Sequence, residues 1–101
     1  LLVADQGSVI TRDQAVMILI ALAGKEQYHQ DAIALILEQL TKSPENQLPM
    51  YAERSLPILV REDYADFTQV LEMRLPDMES LTKKKRVEKV ILQVRKRMKS
   101  L

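Results

Sequence analysis

The chain has no cysteine and no tryptophan, two glycines, four prolines, one histidine and four aromatic residues in 101. Each scarcity removes a class of protein. Without cysteine there is no disulfide framework, no thiolate metal site and no cysteine nucleophile, which suits a reducing compartment. So little glycine leaves no phosphate-cradling loop and no nucleophile elbow. One histidine supplies too few ligands for a metal. His29 therefore reads as a surface histidine near a helix start, with no catalytic residue, metal site or cofactor expected. Long apolar runs are also missing. The longest uncharged stretch, Gln14 to Gly24, is eleven residues, against the roughly 20 a spanning helix needs, and no basic segment marks it as a signal peptide. The expected setting is cytoplasmic, with the nucleus as the alternative.

What is present favours helix. Ala, Leu, Ile, Met, Gln, Glu and Lys are abundant, while few aromatics remain to build a sheet. With 47% hydrophobic and 29% charged residues, the chain has an ordinary globular balance, and its length fits one domain over residues 1–101. It opens Leu1-Leu2-Val3-Ala4 without an initiator Met, which reads as a fragment of a longer protein.

The charge is divided unevenly. Residues 81–101 hold nine bases and one acid, Glu88; the first 80 hold six bases and thirteen acids. The net +1 is thus about −7 in the body and +8 in the tail. The basic positions are Lys83, Lys84, Lys85 and Arg86, then Lys89, then Arg95, Lys96, Arg97 and Lys99.

Apolar spacing predicts five helices. The first starts at Thr11, where Thr11 and Gln14 have capping-box spacing and Ile10 can staple against Ala15. It ends at Ala23 before Gly24. Being apolar on all sides, it should be buried on more than one face. The second runs from about Tyr28 to Thr41 with the stripe Ile33, Ile36, Leu37 and Leu40. Ser43-Pro44-Glu45-Asn46 breaks the chain. The third runs from about Leu48 to Val60, and Pro57 inside it predicts a kink or an early end. The fourth runs from about Tyr64 to Leu75, bearing Phe67, Val70, Leu71 and Met73, and is closed by Pro76-Asp77. The fifth runs from about Ser80 to Ser100 with the stripe Val87, Val90, Ile91, Val94, Met98 and Leu101.

These helices repeat. Ala15, Leu19 and Leu22 match Ala52, Leu56 and Leu59 at an offset of 37. Those match Val87, Ile91 and Val94 at 35, as Asp31, Ile36 and Leu40 match Asp66, Leu71 and Leu75. Two interleaved helix types at such a period are the signature of an α-solenoid. On these residues, over about 10–101, the chain resembles the HEAT and armadillo-like repeat family. The tetratricopeptide period is close, but its Trp and Leu-Gly landmarks are missing. The resemblance implies an all-α, α-α superhelix: two antiparallel helix pairs plus a C-terminal capping helix. It further implies a non-catalytic interaction or scaffold module. In such a stack Asp31, Glu38, Gln39, Asp66, Gln69 and Glu72 would line the inner surface and suit a basic peptide. The last helix has three readings: a cap whose bases face the acidic body, a nucleic-acid contact, or a localisation signal in Lys83-Lys84-Lys85-Arg86. No aromatic or glycine on it supports base stacking, and no Trp or Phe supports a membrane-surface role. A HEAT-like DNA-repair glycosylase is a further reading; the lack of Trp and of a paired aromatic–acid site argues against it.

Overall fold

The computed structural model describes residues 9–99. Those residues form an all-α protein of five helices: α1 (Val9–Ala23), α2 (His29–Lys42), α3 (Leu48–Ser55), α4 (Tyr64–Arg74) and α5 (Leu81–Lys99). Short 3-10 turns intervene at Glu26–Tyr28, Leu56–Ile58, Arg61–Asp63 and Leu75–Asp77. The chain divides into two compact units, Leu1–Ile36 and Leu37–Leu101, with the boundary inside α2.

In the first unit, α1 has already begun at Val9, so Thr11 lies within the helix and is not its cap. No breaking residue separates Val9 from Thr11. Ala15, Val16, Leu19 and Ala23 are buried and share one face, whereas Ile18 is 56% exposed. The expected burial on several faces is therefore corrected to one. Gly24 follows the last turn, and its N–H returns to the Ile20 carbonyl at 3.3 Å. His29 is half-buried and its Nδ1 donates to the Ala23 carbonyl at 2.6 Å, so it ties the turn to the end of α1. It is not the free surface histidine that its polar neighbours suggest.

In the second unit, α5 packs against α3 and α4. Its Val87, Val90, Ile91 and Val94 are buried with spacings 3, 1 and 3, one helical face. Leu48, Tyr51 and Ala52 of α3 and Phe67 and Leu71 of α4 are likewise buried. Burying four branched side chains stabilises α5 by about 6–12 kcal/mol before entropy is counted, at roughly 1.5–3 kcal/mol each. Met98 at 44% exposure falls outside this stripe, and Leu101 lies outside the described residues.

Proline ends two helices in the same way. Pro57 has no N–H to return to the preceding turn, so α3 stops at Ser55 and tightens into the Leu56–Ile58 turn, with Leu56 still in α dihedrals (φ −51°, ψ −46°). Pro76 does the same after α4. The early end of the third helix is thus found. The consequence is that Leu56 and Leu59 leave the α-helix; Leu59 is extended (φ −71°, ψ 139°) although buried. The offset of 37 therefore pairs α-helical Leu19 and Leu22 with a 3-10 residue, Leu56, and an extended one, Leu59, and it is not a structural equivalence.

The offset of 35 is one. Lys25 and Val60, 35 residues apart, are both extended and both open a 3-10 turn. The same bond closes each turn, Tyr28 N–H to Lys25 O at 3.0 Å and Asp63 N–H to Val60 O at 2.9 Å. Each turn runs directly into a helix with an acid as its third residue, Asp31 or Asp66. Ala32, Ile33 and Ile36 are buried in the first helix, and Phe67, Thr68 and Leu71 at the matching positions of the second. Buried Ser43 and Met78 continue the series beyond the helices.

Candidate functional site

The second unit is pinned by side chains that sequence spacing does not single out. Arg74, in the last turn of α4, donates to three carbonyls at the end of α2: Leu40, Thr41 (3.3 Å) and Ser43 (2.7 Å). The last carbonyls of a helix lack intrahelical partners and carry partial negative charge, which a guanidinium fork satisfies. Arg97 repeats the device on α3, donating to the Leu56 carbonyl at 2.9 Å. At the other pole, the Glu45 carboxylate accepts the Glu79 and Ser80 N–H groups at 2.9 and 2.8 Å, at the start of α5. Those two backbone bonds, helped by Lys83 and Arg74, hold its carboxyl below the usual range. Ser80 completes the cap by accepting the Lys83 N–H on its Oγ at 3.3 Å.

The basic residues of α5 differ in how they are held. Arg86 holds Glu53 with two bonds, 3.1 and 2.6 Å, which lowers the Glu53 pKa and raises that of Arg86. Arg95 holds Glu72, and Lys83 reaches Asn46 at 2.6 Å. All three arginines are thus turned onto the body of the unit. Both ion pairs are more than 40% exposed, so each is worth no more than about 1 kcal/mol. They orient a helix that its apolar stripe already holds. Lys85, Lys89, Lys96 and Lys99 are exposed, and Lys84 is half-buried.

That difference bears on the localisation signal. Lys83 and Arg86, the two ends of the basic run, bond to neighbours, and the whole run is helical. It is not presented as an extended basic segment.

The acidic candidates are scattered. Asp31 is exposed in the first unit. Glu38 is paired with Lys42 one turn along α2 at 2.7 Å, and this bond lowers its pKa. Gln39 is half-buried, Asp66 and Gln69 are exposed on α4, and Glu72 is taken by Arg95. Glu38 bonds along its own helix, whereas Glu72 bonds to α5.

Two depressions flank Leu92, which is 58% exposed on α5. One, of about 420 Å³, is lined by Lys89, Gln93, Arg95, Lys96 and Lys99 besides Leu92. The other, of about 380 Å³, lies between α4 and α5 and brings Leu75, Ile91 and Leu92 together, with Glu72, Glu88 and Arg95 at its rim. Sequence reading placed the lysines but passed over Leu92. Its signal was a leucine off the apolar stripe, with Glu88, Lys89, Arg95 and Lys96 one turn away on either side.

Among the described residues no cluster of His, Asp or Glu has the grouping to hold a metal ion, and no helix is long and apolar enough to cross a membrane. The chain defines an all-α helical protein. No protein-family model, curated protein or solved structure matches it.

Proposed function

We propose that the chain is a HEAT- or armadillo-like segment of an α-α superhelix, acting as a non-catalytic protein-interaction or scaffold module. In this reading α1/α2 and α3/α4 are successive helix pairs and α5 is the capping helix. The carrying observation is that most long-range polar bonds of the second unit span 31 to 37 residues, with Arg95–Glu72 at 23 and Arg97–Leu56 at 41 outside that range. Arg74 bonds residues 31 to 34 positions away, Glu45 residues 34 and 35 away, Arg86 one 33 away and Lys83 one 37 away. A solenoid unit touches only its neighbours, so bonded partners sit about one period apart. The conformational repeat of 35 agrees with that spacing. This period is shorter than the roughly 40–47 residues of many HEAT and armadillo units and near the roughly 34 of tetratricopeptides. The missing tetratricopeptide landmarks favour the former.

Such a module works by presenting a fixed surface, and the charged and amide positions of α2 and α4 are the proposed face for a basic segment. With Glu38 and Glu72 engaged by Lys42 and Arg95, the exposed positions of α4 offered to that segment are Asp66 and Gln69.

The architecture is tested by duplicating residues 43–77 in tandem, which joins Asp77 to Ser43 as Lys42 is joined in the native chain. A repeat stack accepts the extra unit and unfolds cooperatively at an equal or higher urea midpoint; a closed bundle loses cooperative unfolding. The face is tested by Asp66→Lys with Gln69→Lys. Binding of a lysine-rich helical peptide should drop at least about tenfold, and undiminished binding removes the face from the proposal.

A further inference from the structure

We infer that the outer side of α5 docks an acidic amphipathic helix of a partner protein, its apolar side in the groove between α4 and α5 and its acidic flank against the lysine row. This rests on the reading of the chain as a binding module and names the partner of one surface.

Three features converge there. The groove has an apolar floor, Leu75, Ile91 and Leu92, and Leu92 is a large side chain more than half exposed. A cationic border follows at once, because Lys89, Lys96 and Lys99 line the adjoining depression that Leu92 shares. The third feature is the engagement of the arginines. Arg95 is neutralised by Glu72, so the acid on the groove's α4 side does not repel an acidic partner. Glu88 is the one remaining acid at the rim and places the partner's acidic flank on the opposite, lysine side.

The shape fits a helix. Lys85 to Lys99 spans about 21 Å at 1.5 Å per residue, the length of roughly four turns of a partner lying alongside. An amphipathic helix delivers apolar anchors every third or fourth residue with charge beside them, as the leucine and the lysines require. Nucleic acid satisfies only half of this surface. Phosphates pair with the lysines but leave Leu92 and the groove floor against water, and α5 offers no aromatic ring for a base.

The test uses the full chain and a synthetic helical peptide with leucines on one side and glutamates on the other, followed by fluorescence anisotropy at low salt. Leu92→Glu should weaken binding at least about tenfold. Lys89→Gln with Lys99→Gln should weaken it several-fold and flatten its salt dependence. Both sites are exposed, and unchanged far-UV circular dichroism confirms that the variants fold. Replacing the peptide's leucines by alanine should abolish binding. The inference is overturned if the alanine peptide binds as well as the leucine peptide, or if Leu92→Glu binds as the parent does. It is also overturned if a short DNA duplex displaces the peptide while ignoring Leu92→Glu. A tandem-duplicated chain that fails to fold, with peptide binding still dependent on Leu92, would sink the repeat architecture and leave this surface standing.

Discussion

Removing the Arg74 fork should be the costliest polar change in the second unit. Its guanidinium is half-buried and serves three carbonyls at the end of α2, of which those of Leu40 and Ser43 are engaged away from full solvent. Arg74→Met keeps the alkyl stem and deletes every donor. A hydrogen bond to a charged group contributes about 1.5–3 kcal/mol net, and a cation at a helix C-terminus up to about 2 kcal/mol in partly buried settings. The two descriptions count the same charge, so the expected loss is about 2–3 kcal/mol rather than their sum. For a domain of this size each kcal/mol shifts Tm by roughly 4–8 °C, so the midpoint should fall by about 10–20 °C. Arg74→Lys restores a charge but not the fork and should recover less than half of the loss. Urea unfolding followed by circular dichroism measures both variants. A loss below about 0.5 kcal/mol for Arg74→Met, the range of an ordinary surface substitution, would refute the reasoning.

Three further outcomes are expected. Phe67→Ala, at a fully buried position, should cost about 3–5 kcal/mol in urea unfolding. Glu53→Gln should cost no more than about 1 kcal/mol, and the difference from the parent should vanish in high salt, since the Arg86 pair is exposed and screened. Stability should fall in acid: Glu45, Glu53 and Glu38 have folded-state pKa values below their ordinary 4.5, through backbone N–H groups, Arg86 and Lys42 respectively. The unfolded chain then binds more protons, so their contribution is present above pH 4.5 and is lost as pH drops through the depressed values. Glu45→Gln should flatten that decline in urea midpoints measured across the range.

The helices were legible because their apolar residues keep helical spacing and their ends carry Gly24, Pro57 and Pro76. Residues whose role depends on distant partners were not. Nothing near Arg74 shows that it reaches Leu40, and nothing near Glu45 shows that it caps α5, because each bond closes over 34 or 35 residues of chain. The interleaved repeat was legible at α2 and α4, where turn, acid and buried positions coincide 35 residues apart. It was misread at α3, where matching leucines hid the change of backbone that Pro57 imposes. His29 was read from its polar neighbours, and its bond to Ala23 follows only once the turn brings it back to α1. The acidic positions were placed on the right helices, but their pairing with Lys42 and Arg95 depends on side-chain reach that composition does not reveal.

The charge on α5 is better explained by partner choice than by stability. Four buried apolar residues already hold the helix by several kcal/mol, while its exposed ion pairs add at most about 1 kcal/mol each. The arginines have a separate use: Arg86, Arg95 and Arg97 fix how the helix is turned, because planar forks bond with direction. The lysines carry point charges rather than planar forks and orient the helix less. Lys85 and Lys89 stand one turn apart on the outer arc and repel by a few tenths of a kcal/mol, a small cost that the attraction of Lys89 to Glu53 offsets in part. Simple solubility would be met by mixed charge, and would not demand a leucine among the lysines at 58% exposure. A lysine row beside an exposed leucine, on a helix oriented by arginines, is the surface that the proposed acidic helix would use.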